Sequence, residues 1–329
     1  MERILVTGAL GQIGAELIPK LRERYGDDSV VATDVRMPQR GDGIAGGSFE
    51  RVDVTNLRQV LRAVEQFRID TVFHLASLLS AIAEERPQIA WEVNMGGLYN
   101  VLEVARSHGC AVFFPSSIGA FGPTTPSDHT PQDTIQRPTT MYGVTKVAGE
   151  LLGDYYHRRF GVDTRGVRYP GLISYVAPPG GGTTDYAVDI FHSAVRHRRY
   201  ICFLEPDTRL DMMYMPDALQ AAVELMEAPA ERLVHRNAFN VTAMSFTPAE
   251  LACEIQRHVS DFEIEYEIDP VRQAIADSWP DSLDDSAARE EWGWSPQYDL
   301  ETMTADMLDK LAARRRLLRG KGRRAADRE

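Results

Sequence analysis

The sequence predicts an α/β fold in which a doubly wound parallel sheet is joined to a smaller mixed α/β unit. Short apolar runs that suit strands alternate with helical patterns through the first half of the chain, which favours parallel strands covered by helices on both faces. A glycine-rich turn joins the first run to the first helix, and 329 residues are many for one core. We expect the sheet domain over residues 1–170 with a contribution from 208–242, the smaller domain over 171–310, and a basic, frayed tail over 311–329.

The first turn of the chain is rich in glycine at a regular spacing. Residues 3–7 form an apolar run, and the glycines of a GxxGxxG pattern follow it where a helical pattern begins. Glycine lets the backbone approach a pyrophosphate closely, and the helix N-terminus directs free N–H groups and its positive dipole end at the charge. This turn therefore predicts a dinucleotide cofactor. The predicted contacts are Gly8, Gly11, Gln12, Ile13 and Gly14.

A second strand over residues 30–33 ends at Asp34, which lies 20 residues after Gly14. A carboxylate at this position accepts hydrogen bonds from the adenosine ribose hydroxyls and repels a 2′-phosphate, so we expect NAD rather than NADP. Arg36 and Arg40 are the counterargument, because arginines near this position bind a 2′-phosphate. We interpret them as solvated charges of the loop over residues 41–47.

A tyrosine and a lysine stand four residues apart at Tyr142 and Lys146, and Ser117 lies 25 residues before the tyrosine. In a helix, residues i and i+4 share a face, so the ammonium would lie beside the phenol. A cation within ~4–6 Å lowers the pKa of such a group by roughly 1–3 units from about 10. The pattern predicts a hydride-transfer site with Tyr142 as general base. Ser116 is the alternative serine, and local backbone bonding in a turn is the alternative role for either.

Composition narrows the class of protein. The three cysteines, Cys110, Cys202 and Cys253, lack the spacing of a zinc site or a disulfide framework, so we expect free thiols, no metal and a reducing cytoplasm. We find neither a charged-then-apolar leader nor an apolar stretch of about 20 residues, so we expect no membrane partner. The net charge is −12 although residues 310–329 hold nine Lys or Arg against two acids, and this acidity argues against nucleic-acid binding.

These motifs resemble those of the extended short-chain dehydrogenases/reductases. In that superfamily an Asp-Val pair lies against adenine, and an apolar strand ending in His-x-Ala lines the pyrophosphate and ribose. The resemblance places the further cofactor contacts at Asp53, Val54, Leu75, Ala76, Ser77, Asn94 and Tyr169, together with Tyr142 and Lys146. We assign no chemistry to His74, since a histidine that ends an apolar strand is more often structural.

Longer stretches resemble the short-chain L-threonine 3-dehydrogenases, which are relatives of UDP-galactose 4-epimerase. These stretches are residues 116–123, 182–187, 209–218, 239–247 and 279–294. The resemblance implies oxidation of L-threonine at C3 by NAD⁺ to 2-amino-3-oxobutyrate. Tyr142 would take the hydroxyl proton, Ser117 would bind the same oxygen, and Lys146 would stabilise the phenolate and bind the nicotinamide ribose. The expected contacts to the amino and carboxylate groups are Ser80, Thr183, Thr184 and Trp279.

Several alternatives remain open from the sequence. Thr184 or Asp185 could simply cap the following helix, and the glycine-rich segment 178–182 could close over a small ligand. A nucleotide-sugar epimerase or dehydratase would use the same tyrosine, lysine and glycines with a tightly bound NAD. A non-catalytic dinucleotide sensor would keep only the fold. We expect a homodimer formed by the helix of Tyr142 and the helix through Leu98 and Val101, as is common in the superfamily.

Overall fold

The computed structural model describes the backbone of residues 1–39, 44, 46–176 and 182–326, and the side chains of these residues up to 316. The strands are β1 (Ile4–Thr7), β2 (Val30–Asp34), β3 (Ser48–Arg51), β4 (Thr71–His74), β5 (Ala111–Phe113), β6 (Ser116–Ser117), β7 (Thr164–Arg165), β8 (Val167–Tyr169), β9 (Gly171–Ile173), β10 (Arg199–Cys202), β11 (Leu210–Tyr214), β12 (Phe239–Asn240), β13 (Met244–Phe246) and β14 (Glu263–Tyr266). The helices are α1 (Gln12–Tyr25), α2 (Leu57–Phe67), α3 (Ser80–Glu85), α4 (Pro87–Trp91), α5 (Gly97–His108), α6 (Met141–Phe160), α7 (Tyr186–His197), α8 (Met215–Glu227), α9 (Pro248–His258), α10 (Pro270–Ala276), α11 (Ser286–Trp292) and α12 (Leu300–Ala326). Arg40, most of the 41–47 connection and segment 178–181 lie outside the described residues, so the interpretations placed on them stay predictions.

Six parallel strands form the main sheet in the order β3-β2-β1-β4-β5-β7. The order reverses between β1 and β4, and open α/β sheets bind their ligands at such a switch point, outside the carboxyl ends of the strands. Thr7 and His74, the last residues of β1 and β4, are partners in the register. The predicted doubly wound sheet is confirmed, and its crevice opens where the glycine turn leaves β1.

Successive residues of β1 pack into opposite layers, which is why a strand buried on both faces reads as a continuous apolar run. Ile4 and Val6 join the first core, which contains α1 and α8. Leu5 joins the core on the opposite face of the sheet, which contains α2 and α5. Helices therefore cover both faces of the sheet.

The smaller domain has its own core, the second core, which lies outside the main sheet and is built from α7, α9, β11 and the first part of α12. Two smaller sheets border it, with strand orders β13-β11-β9 and β10-β14. The division expected from the sequence needs a correction here, because Ala288, Trp292 and Trp294 pack into the first core although we placed residues 171–310 in the smaller domain. The Trp292 ring lies edge-on to the Phe239 ring with 5.9 Å between the centroids, so Trp292 and Trp294 close the first core instead.

The C-terminal basic segment does not begin as a frayed tail at residue 311. Leu311 is buried in the second core, and the backbone continues as α12 through Ala326. Arg314 donates hydrogen bonds of 3.0 Å to the carbonyl oxygens of Tyr175 and Val176. Because these contacts fix α12 on the body of the protein, the boundary at 311 is wrong.

The described part of the chain contains no helix that combines the length and apolarity required to cross a bilayer. Within the same residues, no three His, Cys, Asp or Glu side chains converge as a metal site. Cys110, Cys202 and Cys253 are all free thiols.

Candidate active site

Tyr142 and Lys146 lie on one face of α6, as the spacing predicted. The helix starts where the Thr140 hydroxyl accepts a hydrogen bond from the Gly143 amide at 3.1 Å. A Cβ on Gly143 would stand 2.2 Å from the Gly119 carbonyl oxygen, so only glycine allows this approach. The first turn of α6 is thereby held against the turn that follows β6.

Of the two adjacent serines, Ser117 is the one that contacts the phenol. The Ser117 hydroxyl lies beside the Tyr142 phenol, whose pKa it lowers, and it accepts a hydrogen bond from the Gly119 amide at 3.2 Å. The Ser116 hydroxyl instead donates to the carboxylate of Glu150. The structure thus places Ser117, and not Ser116, beside the predicted base.

Lys146 is buried below the phenol ring. Its ammonium nitrogen donates to the Pro115 carbonyl oxygen at 2.7 Å, and it stands 5.3 Å from the centroid of the Tyr142 ring and 4.8 Å from that of Phe114. The cation therefore lies over two aromatic faces, which attract it electrostatically.

The predicted lowering of the tyrosine pKa is wrong for the protein alone. Burial raises the pKa of the Tyr142 phenol to about 12, and the Ser117 hydroxyl opposes this only partly. Burial also lowers the pKa of the Lys146 ammonium to about 8, while the negative charge of Glu150 acts in the opposite direction. The physical reason is that desolvation disfavours both charged forms, and the ammonium is bonded to a carbonyl rather than to the phenol oxygen.

One cavity unites the predicted catalytic and substrate residues. All six substrate candidates line it, together with residues of the glycine turn and of the β4 loop. The members that we predicted as site residues are Gln12, Ile13, Leu75, Ser77, Ser80, Ser117, Tyr142, Lys146, Tyr169, Thr183, Thr184 and Trp279. Residues separated by more than 260 positions in the sequence therefore meet around one space.

The glycine turn fits a dinucleotide because it leaves no room for side chains. Gly8 has φ +67°, and a Cβ on it would lie 2.7 Å from the Ala76 amide nitrogen. A Cβ on Gly14 would lie 2.5 Å from the Gly8 carbonyl oxygen, and Gly11 precedes α1 with no side-chain cap. The first amides of α1 are thus available to an anion, which is the arrangement that holds a pyrophosphate.

Asp34 is the last residue of β2, and it is buried. Its carboxylate accepts hydrogen bonds of 3.0 Å from the amides of Leu10 and Arg36, which orient it at the mouth of the glycine turn. The Arg36 side chain lies 3.5 Å from the same carboxylate and donates to the Leu10 carbonyl at 3.1 Å. The Arg36 side chain is still 67% exposed, so it is a solvated charge as expected, and it also pairs with Asp34.

The loop after β4 is held from behind by buried polar groups. The Ala76 amide donates to the Thr7 hydroxyl at 3.3 Å, and that hydroxyl is bonded to the His74 ring at 2.9 Å. Asn94 accepts from the Leu78 amide at 2.7 Å and donates to the Leu78 carbonyl at 3.1 Å. Asn94 thus shapes the loop that lines the cavity, and its direct contact with the cofactor stays a prediction.

Asp53, Val54 and Tyr169 also have partners within the protein. Asp53 accepts from the Thr55 hydroxyl at 2.8 Å, and Val54 is buried. The Tyr169 hydroxyl donates to the Ala218 carbonyl at 2.6 Å, so that side chain packs under the cavity. Their predicted cofactor contacts are not tested by these interactions and stay predictions.

The capping alternative is wrong for Asp185, which precedes α7 without a side-chain hydrogen bond that caps that helix. Its carboxylate accepts a 2.7 Å hydrogen bond from the Gly182 amide. Among the described residues we find no hydrogen bond to the hydroxyls of Ser80, Thr183 or Thr184, which line the cavity. Thr184 therefore remains available to a ligand.

Sequence reasoning missed the polar residues behind the site, above all the buried Glu150 and the half-buried Gln136. Glu150 lies four residues after Lys146, and this i+4 spacing was the signal that could have identified it. No sequence signal points to Gln136, because its contact with Glu150 depends on the folded loop.

A parallel sheet with a glycine-lined crevice and a Ser-Tyr-Lys group at its cavity defines a dinucleotide-dependent α/β protein of the oxidoreductase kind. The model of the NAD-dependent epimerase/dehydratase family matches residues 4–242, and the chain belongs to this family. An uncharacterized epimerase/dehydratase of Staphylococcus haemolyticus is 58% identical over 308 residues, which cover 94% of this chain and 97% of the relative.

Solved structures of similar proteins are L-threonine dehydrogenases. The enzyme from Clostridium difficile is 58% identical with a TM-score of 0.94, covering 95% of this chain and 98% of its own. A monomeric L-threonine 3-dehydrogenase from a metagenome is 45% identical with a TM-score of 0.90, covering 94% and 99% of the two chains.

Proposed function

We propose that this protein catalyses the NAD-dependent oxidation of L-threonine at C3 to 2-amino-3-oxobutyrate in threonine catabolism. The observation that carries the proposal is that Ser117, Tyr142 and Lys146 share one cavity with the hydroxyls of Ser80, Thr183 and Thr184. The first three groups suit alcohol oxidation, and the second three suit the amino and carboxylate groups of a small zwitterion. The similar L-threonine dehydrogenase structures support the same substrate.

NAD⁺, when bound, supplies the hydride acceptor and a positive charge. Gly8, Gly11 and Gly14 would hold its pyrophosphate, and Asp34 would accept hydrogen bonds from its adenosine ribose. Lys146 would bind the nicotinamide ribose. The close glycine contacts and the uncapped start of α1 support this placement.

Tyr142 is the group that removes the hydroxyl proton of threonine. Because burial raises the pKa of its phenol to about 12, the phenolate forms only with help from nearby positive charge. The Lys146 ammonium supplies one such charge in the buried site. Ser117 orients the substrate hydroxyl by bonding the same oxygen, and Trp279 covers the far side of the cavity.

Nucleotide-sugar epimerisation is the alternative function, and the residues that line the cavity argue against it. A diphosphate substrate needs Lys, Arg or clustered N–H groups. Among the described residues that line the cavity, Lys146 is the only cation, and the substrate side carries hydroxyls and the carboxylate of Asp185. This composition favours a small zwitterion over a sugar nucleotide.

Purified protein should form NADH from NAD⁺ and L-threonine, more slowly from L-serine, and not from UDP-glucose. NADH absorbance follows all three reactions. If threonine yields no NADH while the protein retains tightly held NAD and interconverts UDP-sugars, the epimerase reading replaces ours. If none of the substrates reacts although NADH binds, the protein is a dinucleotide sensor.

We further propose a homodimer formed by α5 and α6. Leu98 and Val101 are buried inside, but Tyr99, Leu151 and Tyr155 are 51%, 63% and 54% exposed on the outer side of these helices. Large apolar side chains grouped on a surface favour association. Sedimentation should give twice the 36.8 kDa chain mass, and Leu151→Glu should give the monomer. A wild-type monomer, as in the metagenomic relative, would refute this arrangement.

The cytoplasm is the proposed location, on the grounds of the three free cysteines. Fractionation of the source cells should find the protein with cytoplasmic markers, and recovery with membranes or in the medium would contradict this.

A further inference from the structure

A buried carboxylate stands directly behind the proposed catalytic group. The side chain of Glu150 on α6 is 4% exposed and pairs with Arg168 of β8, which is 7% exposed, at 2.9 Å. Its two oxygens also accept hydrogen bonds from the Ser116 hydroxyl and from the Gln136 amide, the latter at 3.0 Å. Arg168, Ser116 and Gln136 thus surround the Glu150 carboxylate, which is almost completely shielded from solvent.

Arg168 extends this network away from the cavity. Its guanidinium also donates to the Gln132 carbonyl at 2.8 Å and to the Asn240 side chain at 3.0 Å, and it stacks 5.1 Å from the centroid of the Phe121 ring. Desolvating two charges costs free energy that their attraction only offsets when every donor and acceptor is satisfied. The buried Glu150–Arg168 pair is thus weak evidence that these residues stabilise the fold. Their position behind the site needs an explanation other than stability.

Two connections lead from Glu150 to the site. Ser116 precedes Ser117 in β6, so the bond from Ser116 to Glu150 fixes the strand that presents Ser117. Lys146 lies one helical turn before Glu150, and the negative charge of this carboxylate raises the pKa of the ammonium against the effect of burial.

The other groups that face Lys146 do not supply such a charge. Tyr142 on α6 and Phe114 after β5 present aromatic faces, and Pro115 presents a carbonyl. His74 of β4 is neutral, since burial and the positive charge of Lys146 lower its pKa to about 3. Arg168 carries a positive charge and is itself bound to Glu150.

We propose that Glu150 is a positioning residue for the hydride-transfer site, holding Ser117 in place through Ser116 and serving as the anionic partner of Lys146. This inference rests on the proposed function for its catalytic consequences, but its electrostatic part concerns only the lysine and the binding of the nucleotide. Glu150 touches neither substrate nor cofactor in this account.

The test measures NADH binding by fluorescence as a function of pH for the wild type and Glu150→Gln. Only the ammonium form of Lys146 binds the ribose well, so wild-type affinity should fall above pH of about 8. Without the carboxylate the ammonium is lost at lower pH, and we expect the midpoint to move down by about one unit. Affinity should then be unchanged at pH 6 and about tenfold weaker at pH well above both midpoints. A midpoint equal to that of the wild type overturns the proposal.

Three further variants separate positioning from general damage. Glu150→Asp keeps the charge and should restore the midpoint even if it lowers thermal stability. Ser116→Ala should leave the midpoint in place but lower kcat for threonine by roughly threefold to tenfold with little change in KM, because Ser117 is less well held. Asp163→Asn breaks another pair with a buried arginine, Arg165, whose side chain is 6% exposed, and should lower Tm without moving the midpoint.

The outcomes of the two proposals remain distinguishable. If the wild type does not oxidise threonine, the proposed function fails, while the NADH midpoint still decides the role of Glu150. If threonine is oxidised and Glu150→Gln weakens NADH equally at every pH, Glu150 is only structural and this inference fails.

Discussion

The two walls of the cavity differ in how far their polar groups are already satisfied. Behind the nucleotide wall, Asp34 and Asn94 hold the adjoining loops fixed through hydrogen bonds to backbone groups. On the substrate wall, the described residues offer no partner to the hydroxyls of Ser80, Thr183 and Thr184. The nucleotide wall is preformed, whereas the substrate wall leaves its hydroxyl groups free to form hydrogen bonds with the ligand. A site selective for a small polar molecule requires this arrangement.

Tyr142 stands where the two walls meet, and its replacement should have the largest effect. Tyr142→Phe keeps the shape of the ring but removes the proton acceptor, so we expect kcat to fall by roughly 10²–10⁴ while NADH binding persists. Stopped-flow or steady-state NADH formation measures the loss. Tyr155→Phe, an exposed tyrosine on the same helix, is the control and should turn over normally. Normal turnover by Tyr142→Phe would remove the phenol from the mechanism.

The nucleotide wall depends on close backbone packing, which one methyl group tests. Gly8→Ala would place a Cβ 2.7 Å from the Ala76 amide nitrogen at φ +67°, so we expect NADH affinity to fall by at least about tenfold. Gly109→Ala shares a similar φ of +71° but meets nothing within 4 Å. It should cost stability without changing NADH affinity. Equal affinities in both variants and the wild type would show that the turn does not hold the cofactor.

The substrate wall should respond through KM. Thr184→Ala removes one hydroxyl that the protein leaves available, and losing one hydrogen bond to a charged ligand costs about 1.5 kcal/mol or more, roughly tenfold in affinity. Isothermal titration of L-threonine with NADH present, which permits binding without oxidation, measures it directly. Thr302→Ala, at the start of α12, is the control. Unchanged threonine affinity in Thr184→Ala would exclude this residue from the substrate site.

The smallest effect on activity is expected where hydrogen bonds stabilise only the fold. Thr247 and Glu250 form a capping box at the start of α9, with hydrogen bonds of 2.9 and 3.2 Å. Thr247→Ala should lower the free energy of unfolding by about 1 kcal/mol, seen as a lower Tm, and leave kcat unchanged. A large loss of activity without a loss of stability would mean that α9 contributes to the site.

The sequence predicted the parts of the site that depend on local spacing. The glycine turn, Asp34 at the end of β2 and the shared face of Tyr142 and Lys146 all follow from strand and helix periodicity. The pKa of Tyr142 did not follow, because it depends on burial by residues that are distant in the chain. The same limit applies to Trp292, which packs into the first core, and to Glu150, whose partners Ser116 and Arg168 come from separate strands.

The most direct test of the account is the fate of the hydrogen at C3 of the substrate. L-Threonine carrying deuterium at C3 should transfer that deuterium to the reduced nicotinamide in the wild-type enzyme, with one NADD formed for each 2-amino-3-oxobutyrate. Mass spectrometry of the nucleotide measures the transfer. Unlabelled NADH, or no net reduction of NAD⁺ during turnover, would contradict the proposed reaction at this site.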